Sequence, residues 1–243
     1  MASVPAVQER SEQIPAPDGT GTSGAHVAVP DAGSGPGIVV LHEIFGVNDY
    51  VTGTCRRLAD LGYVALAPDL FWRTAPGLAL GHDEDGLAQA MENVATFDAE
   101  AAVGDAAAAL DHLRSLPEVR GGAGVLGFCL GGTLAYLVAA AAEPDAAVSY
   151  YGSGVPGALD QADRITCPLL VHFGGDDAYI PRDQIDAAQA ALASRPGVTF
   201  VVHEGAGHAF DNSLAPGFHQ PAAADAAWRQ TADFLAEVLP TGR

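Results

Sequence analysis

Short apolar runs alternate along this chain with longer, alanine-rich amphipathic stretches. A strand that is apolar along its whole length must be covered on both faces, so this alternation is typical of a parallel sheet flanked by helices. The apolar runs predict strands at 37–44, 63–70, 122–128, 146–152, 167–175 and 198–205. The amphipathic stretches predict helices at 49–61, 98–115, 131–142, 182–194 and 221–238. The pattern therefore predicts a doubly wound α/β domain with right-handed crossovers.

The length of 243 residues suits a single domain, which we expect to span residues 24–243. Residues 1–23 contain no basic region followed by an apolar stretch, so they do not resemble a signal peptide, and we expect a flexible segment that leads into the first strand.

Residues 71–97 are too long for a plain connection. Since they follow a strand end, we expect them to form a partial lid over the carboxyl edge of the sheet. The alternative is a peripheral helix with no ligand contact.

The net charge limits the partners that this chain can bind. It is −19, and every basic residue is an arginine. Such a charge repels nucleic acid and anionic membrane surfaces, and no arginine cluster offsets it. No apolar run reaches the roughly 18 residues of a membrane span. We therefore expect a small molecule as the partner and a monomer or small homo-oligomer as the assembly.

The chain has three cysteines at scattered positions, Cys55, Cys129 and Cys167. An odd number at irregular spacing is typical of reduced thiols, and it predicts a cytoplasmic protein. No pair has the spacing of zinc ligands, so we expect no metal site.

The segment "GVLGFCLGG" has the form of a strand, then G-x-C-x-G, then a helix. This is the pattern of a nucleophile elbow, with Cys129 in place of the more common serine. The tight turn crowds the residues on either side of the nucleophile, which explains Gly127 and Gly131. A helix that begins near Leu130 points its N–H groups at the thiol, which favours the thiolate and offers a donor to an oxyanion. The alternative is a structural cysteine beside a glycine hinge.

A thiol nucleophile needs a base, and the base needs an orienting acid. His208 lies in the small-residue segment "EGAGHAF" after the last predicted strand, where such a base belongs. "VHFGGDDAYIP" supplies Asp176 and Asp177, which the spacing alone barely separates. The other histidines fit other roles: His26, His82, His112 and His219 are expected to be peripheral, and His42, His172 and His203 to be satisfied within strands.

The chain resembles the dienelactone hydrolase family, the cysteine branch of the α/β hydrolases. Seven motifs in order support the resemblance over about residues 36–236: "EIFGVN", "APDLFWRTAPG", "FDAEAAVGD", "GFCLGGTLAYLVAA", "YYGSG", "GGDDAYIP" and "GAGHAF". The resemblance implies the α/β-hydrolase fold, with a mostly parallel sheet and helices on both faces. It also implies that Asp177 is the acid of a Cys129–His208–Asp177 triad and that no cofactor is needed.

The resemblance assigns further residues around the nucleophile. It implies that Glu43, in "HEIFG", contacts the thiol and keeps it protonated until substrate arrives. It also implies that the backbone N–H groups of Ile44 and Leu130 form the oxyanion hole.

The chain departs from the family pattern where family members use two arginines to bind the substrate carboxylate. Asn212 stands at one of these positions, and the segment between His82 and Phe97 contains no arginine. We therefore expect neutral substrates to be preferred, unless Arg73 reaches the site. The remaining candidates for lining the pocket are aromatic residues, for which core packing is the alternative: Phe45, Trp72, Tyr151, Tyr179 and Phe210.

Together these features predict a cysteine-dependent hydrolase of small esters or lactones that acts through a thioester intermediate. Two alternatives stay open. One is a generalist carboxylesterase with an unrelated physiological substrate. The other is a non-catalytic binding module, or a thiol redox sensor, on the same scaffold.

Overall fold

The computed structural model describes residues 7–242, and within them eight strands form one sheet. The strands are β1 (Gln8–Pro15), β2 (Thr22–Val29), β3 (Gly35–Leu41), β4 (Val64–Pro68), β5 (Val119–Phe128), β6 (Ala147–Tyr150), β7 (Leu169–Gly174) and β8 (Val198–His203). The α-helices are α1 (Asp49–Leu61), α2 (Glu84–Val94), α3 (Ala99–Ser115), α4 (Leu130–Ala141), α5 (Arg182–Leu192) and α6 (Pro221–Val238). A 3-10 helix spans Val155–Arg164.

The strand order across the sheet is β1-β2-β4-β3-β5-β6-β7-β8. β1 pairs with β2 and β2 with β4 in antiparallel fashion, and the other neighbours are parallel. β3, β4 and β6 are buried along their whole length, as continuous apolar runs in a covered sheet must be. The mostly parallel sheet predicted from the alternating pattern is confirmed.

The helices form two packed groups. α3 packs against α4, and α4 and α5 both contact the 3-10 helix. On the other side, the guanidinium of Arg57 in α1 lies 3.7 Å from the ring centroid of Trp228 in α6. Among the helices of residues 7–242, none combines the length and the apolar character needed to cross a membrane.

The helices begin and end within two residues of their predicted positions, but most strands stop short of their predicted carboxyl ends. β3 ends at Leu41 and not at residue 44, and β6 ends at Tyr150 and not at residue 152. The residues beyond these ends, 42–44 and 151–152, still include apolar and aromatic side chains, although the backbone has already left the sheet. They include Ile44 and Tyr151, two of the predicted site residues.

The prediction of a flexible segment over residues 1–23 is wrong for the part that the structure describes. Residues 8–15 form β1, and all eight pair with β2. β1 is the edge strand of the sheet, and Ile14 is its one buried residue. An edge strand can be polar and charged because only one side of it is paired, so it lacks the apolar pattern that identified the other strands. Residues 1–6 lie outside the described part of the chain.

The segment 71–97 contains α2 and is attached to the loop that follows β3. Gly46 and Ala79 form an isolated bridge, and the Leu80 N–H donates to the Phe45 carbonyl at 2.9 Å. The Asn48 side-chain amide donates to the Leu80 carbonyl at 3.0 Å. These bonds hold the segment at the carboxyl edge of the sheet, where it was expected to lie.

Candidate active site

The three residues predicted to form a triad meet at the carboxyl edge of the sheet. Cys129 directly follows β5, Asp177 lies three residues beyond the end of β7, and His208 lies five residues beyond the end of β8. β5 and β7 each pair with β6, and β7 pairs with β8, so three distant parts of the sequence end side by side. This edge is where ligands bind in open α/β sheets.

The turn at Cys129 has the strained backbone expected of a nucleophile elbow. Cys129 has φ 53° and ψ −114°, a conformation that L-residues rarely adopt, and it stands immediately before the first residue of α4. A Cβ atom on Gly127 would overlap the Gly131 carbonyl, and one on Gly131 would overlap the Leu41 carbonyl. The predicted crowding within the turn is confirmed for Gly127, whereas Gly131 lacks room for a side chain because the backbone at the end of β3 lies against it.

Cys129, His208 and Asp177 form a continuous chain of polar contacts. Cys129 Sγ lies 3.1 Å from His208 Nε2, and His208 Nδ1 donates to Asp177 Oδ2 at 2.7 Å. The other carboxylate oxygen of Asp177, Oδ1, accepts the backbone N–H groups of Tyr179 at 2.8 Å and Ile180 at 3.1 Å. These two donors fix the carboxylate plane and leave Oδ2 free to orient the imidazole.

The surroundings of His208 favour its charged form. Burial alone lowers the pKa of His208, but its hydrogen bonds to Asp177 and to the Cys129 thiol outweigh burial and raise the pKa to about 10. The arrangement therefore supports an imidazolium held between a carboxylate and a sulfur, which is the charge state needed to protonate a leaving group.

Of the two adjacent aspartates, the structure brings Asp177 and not Asp176 to the histidine. Asp177 is buried, whereas the Asp176 side chain is exposed. The residue beside His208 is thus the one that the family resemblance implied, and its role as the acid of a triad stays a prediction.

Glu43 lies in the same cavity as the thiol, and an amide holds one of its oxygens. Asn212 Nδ2 donates to Glu43 Oε2 at 2.8 Å and lies 2.9 Å from His82 Nε2. The Leu214 N–H donates to Asn212 Oδ1 at 3.0 Å, which fixes the orientation of the amide. Glu43 Oε1 is buried without a hydrogen-bond partner in the described chain. Asn212, which stands where family members carry a substrate-binding arginine, thus contacts Glu43 and His82, and a contact with substrate stays a prediction.

His42 fixes the loop that carries Glu43. Its Nε2 accepts the Leu70 N–H at 3.1 Å, so its Nδ1 carries the proton and donates to the Glu43 carbonyl at 2.6 Å. Burial lowers the pKa of His42, which keeps the ring neutral. The neutral imidazole thus connects the segments that follow β3 and β4, as expected of a histidine satisfied in the core.

The reactive groups open into one cavity of about 250 Å³. Its described lining includes Glu43, Cys129 and His208 at the inner end. Ile44 and Phe45, both predicted at the site, form part of the wall together with Tyr179. Within residues 7–242, no group of three or more histidine, cysteine, aspartate or glutamate side chains is arranged to hold a metal ion.

Known proteins are similar to this chain over most of its length. The model of the dienelactone hydrolase family matches residues 24–239. The chain is 41% identical over 216 residues to a carboxymethylenebutenolidase from Pseudomonas putida, which covers 88% of this chain and 91% of that one. It is 36% identical to a carboxymethylenebutenolidase from Rhodococcus opacus, covering 88% of this chain and 86% of that protein. The chain belongs to the dienelactone hydrolase family.

A solved structure that is described as dienelactone hydrolase-like has the same fold. A dienelactone hydrolase-like promiscuous phosphotriesterase from metagenomic libraries superposes with a TM-score of 0.78 at 27% identity, over 95% of this chain and 99% of that one. The predicted α/β-hydrolase fold is therefore confirmed, and the protein is a hydrolase of the dienelactone hydrolase type.

Two aromatic residues predicted to line the pocket of this family member lie behind it. Tyr151 and Phe210 are fully buried. The ring of Tyr151 lies 5.1 Å from that of His208, and the ring of Phe210 lies 5.3 Å from that of Tyr151. Neither borders the cavity, so their prediction as substrate contacts is wrong. They support His208 from the core side, as the core-packing alternative described.

Trp72 and Arg73 lie elsewhere, and their prediction as substrate contacts is also wrong. Trp72 Nε1 donates to Asp105 Oδ2 at 2.8 Å, and the Arg73 guanidinium makes two bonds of 2.8 Å to the same carboxylate. Arg73 also binds Asp18 at 2.8 Å. A buried carboxylate in α3 thus draws both side chains away from the cavity, an effect that sequence spacing does not reveal.

The sequence reasoning missed several residues that line the cavity. His82 was expected to be peripheral, but it lines the cavity and contacts Glu43 and Asn212. It is the one histidine of the segment 71–97, which was expected to cover this edge, and that position was the available signal. The others missed lie in α2 or in loops: Leu87, Met91, Ser153, Ala209 and Phe218.

Proposed function

We propose that this protein is a cysteine-dependent hydrolase of small esters or lactones, with Cys129 as the nucleophile, His208 as the acid and base, and Asp177 as the residue that orients His208. The observation that carries the proposal is the contact of 3.1 Å between Cys129 Sγ and His208 Nε2, at the inner end of a cavity that opens to solvent.

Acylation begins when the thiolate of Cys129 attacks the carbonyl carbon and a carbon–sulfur bond forms. The carbonyl oxygen becomes an oxyanion, which the N–H groups of Leu130 and Ile44 stabilise. Leu130 is the first residue of α4, where backbone N–H groups have no partner within the helix, and Ile44 borders the cavity. The bond to the leaving oxygen then breaks, and His208 Nε2 donates its proton to that oxygen.

Deacylation returns the enzyme to its starting state. His208 Nε2, now neutral, removes a proton from a water molecule, which attacks the thioester carbonyl. The carbon–sulfur bond breaks, the acid is released, and the thiolate of Cys129 is again paired with the imidazolium. Asp177 holds the ring so that Nε2 faces the sulfur throughout.

The other two cysteines do not suit a thiol redox sensor. Burial raises the pKa of Cys167 to about 11 and raises that of Cys55 further. Both thiols therefore stay protonated near neutral pH, and a protonated thiol is a poor partner for disulfide exchange.

All three cysteines are free, which supports the cytoplasmic location that we propose. As the assembly we propose a monomer or a small homo-oligomer.

The proposal is tested by trapping the thioester. Intact-protein mass spectrometry of samples quenched in acid during turnover of p-nitrophenyl acetate should show one added acetyl group, removable by hydroxylamine. Cys129→Ala should show neither the adduct nor turnover, while Cys167→Ala serves as the matched control and should show both. Turnover or an adduct in folded Cys129→Ala would refute the assignment of the nucleophile.

A further inference from the structure

The large apolar side chains left exposed within residues 7–242 are concentrated at the mouth of the catalytic cavity. They are Leu87, Met91, Tyr179, Leu214 and Phe218. Four of them border the cavity that contains Cys129 and His208, and Leu214 borders a neighbouring depression. Single exposed apolar residues are ordinary, but a contiguous group beside a reactive centre indicates a binding surface. We call Leu87, Met91, Tyr179 and Phe218 the apolar rim.

One helix supplies half of the apolar rim. Leu87 and Met91 are four residues apart in α2, so they lie on one face and one turn from each other. Their exposed fractions are 43% and 55%. Gly86 and Ala90 are the buried residues of the same helix and anchor it to the domain. α2 therefore presents apolar side chains to the cavity mouth that its own packing does not require.

The described lining of the cavity offers a substrate carboxylate no arginine or lysine, and the imidazolium of His208 is already paired with Asp177 and Cys129. Among the described residues that border the cavity there is no arginine, and the chain contains no lysine. The carboxylate of Glu43 lies there, with Oε2 bound by the amide of Asn212. A carboxylate in the substrate would face Glu43 without an arginine or lysine to bind it, which opposes binding of anions.

From these observations we propose that the physiological substrate is a neutral ester or lactone with an apolar arm, which extends from the reacting carbonyl at Cys129 across the apolar rim. The proposal rests on the hydrolase function proposed above and specifies its substrate class. The cavity of about 250 Å³ holds the reacting group, and the longer arm lies along α2 and against Tyr179 and Phe218. Each methylene that reaches the rim should then raise kcat/KM by roughly two- to fourfold.

A chain-length series measures this directly. For p-nitrophenyl acetate, butyrate, hexanoate and octanoate, kcat/KM should rise along the series. The p-nitrophenyl monoester of glutarate carries a free carboxylate. Its kcat/KM should be at least about tenfold lower than that of p-nitrophenyl hexanoate at both low and moderate salt. A flat or falling series, or a preference for the acidic monoester, would overturn the proposal and leave the hydrolase function intact. Absence of turnover with every ester would instead refute the hydrolase function.

The double variant Leu87→Ser/Met91→Ser tests the rim. The factor by which kcat/KM falls should be about tenfold or more larger for p-nitrophenyl octanoate than for p-nitrophenyl acetate. Leu214→Ser is the matched control, since Leu214 is 49% exposed and lies outside the catalytic cavity. This variant should show the same dependence of kcat/KM on chain length as the wild type. Equal losses for both esters would contradict the proposal.

A second copy of the chain is the other possible occupant of the rim. Light scattering on the same variants tests for it. A dimer that the double variant dissociates and Leu214→Ser does not, combined with a flat wild-type series, would identify the rim as a subunit interface and overturn the substrate proposal.

Discussion

Replacing Asp177 by asparagine should remove most of the activity while leaving the fold in place, because the surroundings decide which way the new amide points. The backbone N–H groups of Tyr179 and Ile180 donate to Oδ1 of Asp177. In Asp177→Asn the amide oxygen must keep these two bonds, since an NH₂ group there would face two donors. The NH₂ group is therefore turned toward His208 Nδ1, the atom that Oδ2 contacts at 2.7 Å in the wild type.

An NH₂ group facing Nδ1 requires that nitrogen to be an acceptor, which places the proton of the neutral ring on Nε2. His208 can then no longer take the proton of the Cys129 thiol, and it loses the carboxylate that stabilises its charge. The same change costs about four powers of ten in a serine enzyme. A thiol is more acidic than a hydroxyl, so we expect a loss of about two to four powers of ten in kcat/KM, or roughly 3 to 5 kcal/mol of transition-state stabilisation.

The assay is kcat/KM for p-nitrophenyl acetate, with thermal unfolding measured on the same samples. Asp176→Asn is the matched control, because it makes the same chemical change on an exposed neighbour, and it should stay within about threefold of the wild type. A larger loss in Asp176→Asn than in folded Asp177→Asn would refute the reasoning.

Four further changes test other parts of the structure. Cys129→Ala should lower the pKa of His208 from about 10, because it removes a hydrogen bond that raises this pKa, and an NMR titration of the ring measures the shift. Folding raises the pKa of His208 from 6.5 to about 10. The charged ring therefore stabilises the folded protein fully below about pH 6.5, and this stabilisation is lost as the pH rises toward 10. The difference in unfolding free energy between the wild type and His208→Gln, measured by urea titration, should decrease over that range. Gly131→Ala should prevent folding to a soluble protein, because its Cβ would overlap a backbone carbonyl, and normal expression with a native circular dichroism spectrum would contradict this. Arg73→Ala should lower the melting temperature without changing the ratio of neutral to acidic ester turnover, since its guanidinium binds carboxylates outside the cavity.

The sequence by itself determined the features that depend on local pattern. Continuous apolar runs identified the buried strands, and the glycines around Cys129 identified the elbow, because no side chain fits at Gly127 or Gly131. Motif order pointed to His208 and to the pair Asp176 and Asp177, and the family resemblance selected Asp177. β1 was not predicted from the sequence, because an edge strand does not need the apolar pattern of a strand that is covered on both faces.

Only the tertiary structure decided what surrounds the predicted triad. Asp105 holds Trp72 and Arg73 away from the cavity, although both lie in the segment that follows β4. His82 reaches Glu43 because the segment that carries it is bound to the loop after β3. Leu87 and Met91 form a rim because α2 turns one face toward the reactive thiol. Side-chain directions and long-range pairings such as these depend on how separate segments pack, and no local pattern in the sequence records them.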